Sequence, residues 1–329
     1  VIAILAPGQG AQKPGMLAPW LERPGARERL AAFSEASGLD LVQLGTEADA
    51  DTIADTAVTQ PLLVASALLS GEALLGELAG DAAERSSTRG SGSLGSADAL
   101  PEDTTVAGHS VGELAAAAIA GVLSPEQAVA LAAVRGREMA AACAVEPTSM
   151  AAVLGGDADT VLAALAERDL EPANRNGSGQ VVAAGRTSDV EALAAEPPEG
   201  ARVRPLAVAG AFHTRFMEPA EKALASWVGE HRDELAPADP VLALLSDADG
   251  AVVTSGTEML DRLVAQVTRS VRWDACMDTL RERGLTGAVE LTPAGTLTGM
   301  VKRQIKGTAT VNVSTPDDLA AAVELLRGQ

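Results

Sequence analysis

Gly108-His109-Ser110-Val111-Gly112 spells G-x-S-x-G, a pentapeptide able to do acyl chemistry if its surroundings are right. A serine hydroxyl near its ordinary pKa is a weak nucleophile. It needs a base beside it and donors for the negative charge that develops. The flanks fit. Residues 104–107 (TTVA) form a β-branched run ending in a small residue, which predicts a buried strand, and the Ala-rich run 113–122 predicts a helix. Strand, tight turn, helix is the setting that makes this serine the nucleophile of an elbow. The glycines let the backbone turn sharply, and the helix N-terminus favours negative charge beside the serine. A chain with 32 glycines can also produce the bare pattern by chance, so the flanking elements carry the reading.

With only three histidines, the search for a base is short. His109 precedes the serine, and strand-like alternation turns its side chain away from Ser110. His231 lies in VGEHRDEL, a charged helix surface. His213 lies in VAGAFHT, a small-residue loop flanked by Phe212 and Phe216, two of the three phenylalanines. Elimination leaves His213 as the base; the competing reading is a structural histidine capping a loop. Between 110 and 213 the acids fall on helices that read as exposed, and none stands out as the histidine's orienting partner. The expectation is a Ser–His dyad whose imidazole is held by a backbone carbonyl. One oxyanion donor is expected from the amide of Val111. The second is expected from the Gly8-Gln9-Gly10 loop, whose amides are unobstructed. A phosphate-loop reading of that loop fails: the third glycine of G-x-G-x-x-G would fall at Lys13, and no G-x-x-x-x-G-K-[ST] occurs.

At 329 residues and 47% hydrophobic, the chain can bury a substantial core. With three Trp, three Phe and no Tyr, that core must be built from Ala, Leu and Val. A formal charge of −20 argues against nucleic acid as a partner. It is awkward for an acidic protein partner too, which would need a local basic patch. Lys302, Arg303 and Lys306 form one candidate; the alternative is an ordinary solvated face. No window approaches about 20 uninterrupted apolar residues, and no secretory signal is evident, so a cytoplasmic protein is expected. Cys143 and Cys276 lie far apart, outside any metal-spaced cluster, and read as reduced thiols; no metal site is expected.

The element pattern predicts an α/β fold with a mostly parallel sheet covered on both faces. A strand at 1–6 precedes helices at 23–37 and 60–79. Residues 80–103, rich in Ser, Gly and charge, read as an exposed loop insertion. Residues 149–208 carry a separate rhythm: strand 150–154, helix 157–168 capped by Asp157, extended runs 170–174 and 180–184 joined through Asn176-Gly177, helix 187–195 capped by Thr187, and strand 202–209. That order, β-α-β-β-α-β, is the ferredoxin-like arrangement. The expected organisation is a discontinuous catalytic domain (1–145 and 209–329) with a ferredoxin-like subdomain (146–208) inserted. Helices at 217–233, 257–267, 273–283 and 316–327 alternate with strands at 241–246, 287–291 and 308–313.

These residues, taken together, resemble the malonyl-CoA:acyl carrier protein transacylases of type II fatty acid synthesis. The resemblance rests on GQG near the N-terminus, GHSVGE (108–113), Arg135-Gly136-x-x-Met139, Asn174-x-Asn176-x-x-Gly179-Gln180, AFHT (211–214) and PAGTLTGMVKR (293–303), in family order over the chain except 80–103. It implies an α/β-hydrolase-like domain with the inserted subdomain, Ser110 as acylated nucleophile, His213 as base, and Gln9 and Val111 as oxyanion amides. It also implies that Arg135 grips the malonyl carboxylate, a task its planar fork suits; the residues alone did not separate Arg135 from Arg137. Met139, Asn174 and Asn176 are implied near the substrate, and the Gln266 carbonyl as the acceptor of the histidine Nδ1 proton. In related polyketide acyltransferases a phenylalanine before the histidine accompanies malonyl rather than methylmalonyl, which assigns Phe212 to the pocket. The implied substrates are malonyl-CoA and the phosphopantetheine thiol of acyl carrier protein, with no bound cofactor, no nucleic acid, no membrane and a monomeric state. The alternatives are a trans-acting polyketide acyltransferase, a serine hydrolase releasing the acyl group to water, and a non-catalytic docking module.

Overall fold

In the computed structural model, residues 1–85 and 99–328 are described. The first strand, β1 (Ile2–Ala6, IAILA), is buried at every position, as suits a central parallel strand covered on both faces. Helices α1 (Ala26–Ser37), α2 (Leu41–Thr46) and α3 (Ala50–Ala54) follow. Next comes the long apolar α4 (Thr56–Arg85). Its segment Thr56–Gly80 is long and apolar enough to cross a membrane by length and composition, with mean hydropathy 1.6 over its most apolar window, yet 72% of that window is buried inside the protein. It is the core helix here. Strand β2 (Thr105–Gly108) then leads through the elbow into α5 (Gly112–Ile119), whose eight residues are all buried, and α6 (Pro125–Cys143) packs along α4. Small alanines let α5 lie close over β1 and β2.

A second sheet is formed next. Strand β3 (Thr148–Gly155), α7 (Ala158–Ala166), β4 (Glu171–Gly177), β5 (Gln180–Arg186), α8 (Thr187–Ala195) and β6 (Ala201–Pro205) follow the βαββαβ order. The sheet is antiparallel in the order β4-β5-β3-β6. Strand alternation gives it two faces. Ala151, Val153 and Ala183 join Val161, Leu165, Val190 and Leu193 of α7 and α8 in a small core. Met150, Val182 and Ala184 point the other way, into the main core.

The chain then returns to the first sheet through α9 (Glu218–Glu230), α10 (Arg232–Leu235), β7 (Ala243–Leu245), β8 (Val252–Val253), α11 (Gly256–Ala265), α12 (Trp273–Glu282), β9 (Gly287–Glu290), α13 (Thr296–Gln304), β10 (Ala309–Asn312) and α14 (Leu319–Leu326). Strand order is β10-β9-β1-β2-β7-β8, parallel throughout except for the antiparallel edge strand β8. Ala6 is in register with Gly108, and Leu5 with Glu290. The loops leaving β1, β2 and β9 therefore open at one end of the sheet, the carboxyl end, where parallel sheets place their ligands. The buried Glu290 carboxylate accepts the amide protons of Leu297 (2.9 Å) and Thr298 (2.8 Å), fixing the N-terminus of α13 beside that crevice.

Several boundaries depart from the sequence expectations. The loop expected at 80–103 begins later, because α4 continues to Arg85; residues 86–98 lie outside the described residues. Thr187 is the first residue of α8 rather than its cap; Arg186 holds the cap position without a side-chain bond. Asp157 does cap α7, accepting from the Thr160 amide. The strand expected at 202–209 stops at Pro205, and the helix expected at 217–233 divides at His231. Helices α6 and α13 were not among the expected elements.

Candidate active site

Ser110 sits at the tip of the β2–α5 turn with φ of +54°, a left-handed conformation that L-residues adopt only under constraint. Close packing supplies the constraint. A Cβ on Gly108 would stand 2.1 Å from the Gly112 carbonyl oxygen, and one on Gly112 would stand 2.3 Å from that of Ala6. Both glycines are therefore required by approach, and the turn is pressed against the end of β1. The Ser110 hydroxyl lies 2.7 Å from His213 Nε2, and His213 Nδ1 lies 2.8 Å from the Gln266 carbonyl oxygen. A carbonyl can only accept, so Nδ1 carries the proton and Nε2 is left to accept from serine. His213 is 5% exposed, and burial together with the Arg135 charge pushes its pKa down to about 3, so the ring is neutral and basic in form.

Arg135 reaches the same point from α6. Its guanidinium is buried; Nη1 donates to Gln60 Oε1 (2.6 Å), Nη2 donates to Gln266 Oε1 (2.8 Å), and Nη2 is 3.5 Å from Ser110 Oγ. Among the described residues no carboxylate lies within ion-pair distance of it. Burial drives its pKa down to about 10, still far above neutrality. A cavity of about 270 Å³ opens over these groups, lined by Gln9, Val111, Met139, Asn174, Asn176 and Phe212 among others. Among the described residues, neither the Gln9 nor the Val111 amide donates a hydrogen bond within the protein. His109 also faces this cavity: its Nε2 is 3.0 Å from Asn176 Oδ1, and its ring stands edge-on to Trp273. His231 stacks on Trp227 and bonds its carbonyl, remote from the cavity lining.

The sequence profile of the acyl transferase domain matches residues 91–319. The malonyl CoA-acyl carrier protein transacylase of Mycobacterium tuberculosis is 52% identical over 97% of this chain and 98% of its own length. The chain belongs to the malonyl CoA-acyl carrier protein transacylase family. Solved members of that family superpose over nearly the whole chain. The crystal structure of MCAT from Mycobacterium tuberculosis has a TM-score of 0.87 at 51% identity, covering 98% of this chain and 99% of that one. A malonyl-transacylase in complex with a type II polyketide acyl-carrier protein has a TM-score of 0.82 at 28% identity, covering 98% and 99%.

Within this family member, three polar residues at the site were missed by the sequence reading. Gln60, from α4, anchors Arg135 and also approaches Met139 Sδ at 3.4 Å. A glutamine near the start of a largely apolar helix was the available signal. Glu113 departs from the expectation that the acids after the serine lie mostly on exposed helices. It belongs to GHSVGE itself and is 1% exposed; Glu113 accepts from the Gln266 side-chain amide and, at 2.6 Å, from the Asp247 backbone amide. Asp247, after β7, is fully buried and accepts the Ser110 amide proton at 2.6 Å. Neither contacts the His213 imidazole; its orienting partner is the carbonyl. No group of His, Cys, Asp and Glu able to hold a metal occurs among the described residues.

Proposed function

We propose that this enzyme transfers a malonyl group from malonyl-CoA to the phosphopantetheine thiol of an acyl carrier protein, by a ping-pong path through an ester on Ser110. The observation that carries this reading is Arg135: a buried cation without an ion-pair partner among the described residues, 3.5 Å from the nucleophile. Such a cation is poised for an acyl group that ends in a carboxylate.

The geometry supports each step. His213 Nε2 takes the Ser110 proton as Oγ attacks the thioester carbonyl. The Gln9 and Val111 amides receive the oxyanion, a donor pair of the kind worth about 10²–10³ in rate per donor. The imidazolium then protonates the departing thiolate of coenzyme A. In the second half the carrier's thiol gives its proton to His213 and attacks the ester, and the imidazolium returns that proton to Ser110 Oγ as the Oγ–C bond breaks. Met139 and Phe212 bound the acyl pocket, and Phe212 narrows it against a branched unit. Asn174 and Asn176 face the cleft from β4, and His109 of the elbow donates Nε2–H to Asn176 Oδ1. We read the protein as a cytoplasmic monomer without a bound cofactor, acting where acyl-CoA and carrier protein occur.

A polyketide carrier is the second reading, favoured by the likeness to the transacylase solved with such a carrier. Incubation with malonyl-CoA should add one malonyl mass on the peptide that contains Ser110, and Ser110→Ala should remain unmodified. Persistent acylation of the variant would refute the assignment. An ester stable without thiol and discharged by carrier protein supports transfer; prompt loss to water supports a hydrolase.

A further inference from the structure

Beneath the nucleophile lie two carboxylates that the transfer chemistry does not use. Glu113 on α5 is 1% exposed, and Asp247 after β7 is wholly buried. Both converge on one amide nitrogen: Gln266 Nε2 donates to Glu113 and stands 3.5 Å from Asp247 Oδ2. The pair is also tied to the elbow, since Asp247 holds the Ser110 amide and Glu113 holds the Asp247 amide. Few charged or titratable groups face the pair. Arg135 comes from α6 and Cys276 from α12, its Sγ 3.7 Å from Asp247 Oδ1; His213, from the loop before α9, is linked to the pair through Ser110 and Gln266. His109 and Asp274 stand one step further off, beside His213 and Cys276. His213 is neutral, and burial with the nearby acids keeps the Cys276 thiol protonated. Arg135 is the cluster's one cation among the described residues, and it is bonded to amide oxygens rather than to either acid.

One cation thus faces two acids before the substrate arrives, and a malonyl group brings a third carboxylate. Like charges sharing a buried site cannot all ionise, and protonating one costs less than burying it unpaired. We propose that the Glu113–Asp247 pair is a specificity-determining proton store for carboxylated acyl groups: it takes a proton from solvent when the free carboxylate of the acyl group reaches Arg135, so that three buried negative charges do not share one cation. The proposal rests on the reading that Arg135 receives that carboxylate. Burial raises both acids, Glu113 to about 7, and the Glu113 charge pushes Asp247 up further, so both hold a proton more readily than free carboxylates do. A third negative charge fills the pair. Acylation itself is proton-neutral: the Oγ–C bond forms, the C–S bond breaks, and the serine proton leaves on the coenzyme A sulfur through His213. Uptake from solvent is therefore separable from the chemistry.

The experiment mixes the full chain with malonyl-CoA in weak buffer and counts protons per ester, with the ester verified by intact mass. Wild type should take up more protons per ester than Glu113→Gln, and the excess should grow with rising pH as the free pair empties. Equal proton counts in the two proteins, with the ester formed in both, overturn the proposal; Asp247→Asn replaces Glu113→Gln if the latter does not fold. A measurement on wild type alone also decides. With isotopically labelled malonyl-CoA shifting the substrate bands, the infrared difference spectrum on acylation should gain a protonated protein carboxyl band, and its absence overturns the proposal. Failure of the parent reading looks different: Arg135→Ala would leave the malonyl-to-acetyl preference unchanged.

Discussion

At the scale of single residues, the site is a set of groups held short of their preferred partners. Arg135 has amide oxygens where a carboxylate would bind better, so it keeps spare pairing capacity, which the proposed function assigns to the substrate. Removing one partner of a desolvated charge pair costs about 2–5 kcal/mol, a factor of roughly 30 to several thousand. Arg135→Ala should lose that factor in kcat/KM for malonyl-CoA and leave acetyl-CoA unchanged or improved; Arg135→Lys should recover only part, since an ammonium lacks the two-pronged geometry. The malonyl-to-acetyl ratio of kcat/KM is the measurement. His213 makes a different kind of prediction. Its folded pKa lies near 3, below the ordinary 6.5, so between those values the unfolded chain binds a proton that the folded chain refuses. That contribution to stability is full above pH 6.5 and is lost as pH falls, by up to about 1.4 kcal/mol per unit. Glu113, raised to about 7, acts with the opposite sign: its contribution is full below about 4.5 and is lost as pH rises through 7. Only a comparison of proteins isolates the histidine. Denaturant midpoints of His213→Gln should fall less steeply from pH 6.5 to 5 than those of wild type. The same variant should lose most transfer activity, whereas His231→Ala, stacked on Trp227 away from the cavity, should keep it.

At the scale of elements, the elbow is a packing problem solved with glycine. Gly112 lets the N-terminus of α5 sit against the carbonyl oxygens of Ala6 and Pro7, which would be 2.3 and 2.8 Å from an added Cβ. Ala6 leads directly into the loop carrying Gln9. Gly112→Ala must therefore displace either the serine turn or the oxyanion loop. We expect a fall in kcat of about 10²–10³, the value of one misplaced oxyanion donor, with a smaller change in KM for malonyl-CoA. A fall in thermal stability with kcat intact would place the strain elsewhere. This is also where the sequence was most legible. Strand, glycine turn and helix are local signals, and so was the βαββαβ rhythm. What stayed hidden depended on tertiary contact. The burial of Glu113 follows from α5 being enclosed on all sides, which an Ala-rich helix does not announce. Asp247 lies in a turn after a three-residue strand and becomes significant only because β7 pairs beside β2. The choice of Arg135 over Arg137 needed the family resemblance, since two arginines on one helix differ only in the face each presents.

At the scale of the whole molecule, charge and topology meet at α13. The first half of this helix supplies Thr296, Leu297 and Met300 to the cavity lining, and its end carries Lys302 and Arg303, with Lys306 just beyond, all exposed. In a chain of net charge −20, a cluster of three cations one to two turns from the mouth of the site is a local exception. Long-range repulsion from the rest of the surface slows the approach of any acidic partner. A cationic patch beside the cavity counters this within a Debye length of about 10 Å at 0.1 M salt. Rim charges of this kind act on encounter more than on chemistry. Reversing them, as in Lys302→Glu with Lys306→Glu, should raise KM for an acidic carrier protein several-fold at low salt. The effect should shrink as salt is added, and the rate of Ser110 acylation by malonyl-CoA should stay within about two-fold of wild type. Stopped-flow acylation and steady-state transfer, each over a salt series, separate the two half-reactions. Equal losses in both would make the cluster a feature of the α13 fold rather than of partner encounter, and no loss in either would make it an ordinary solvated face.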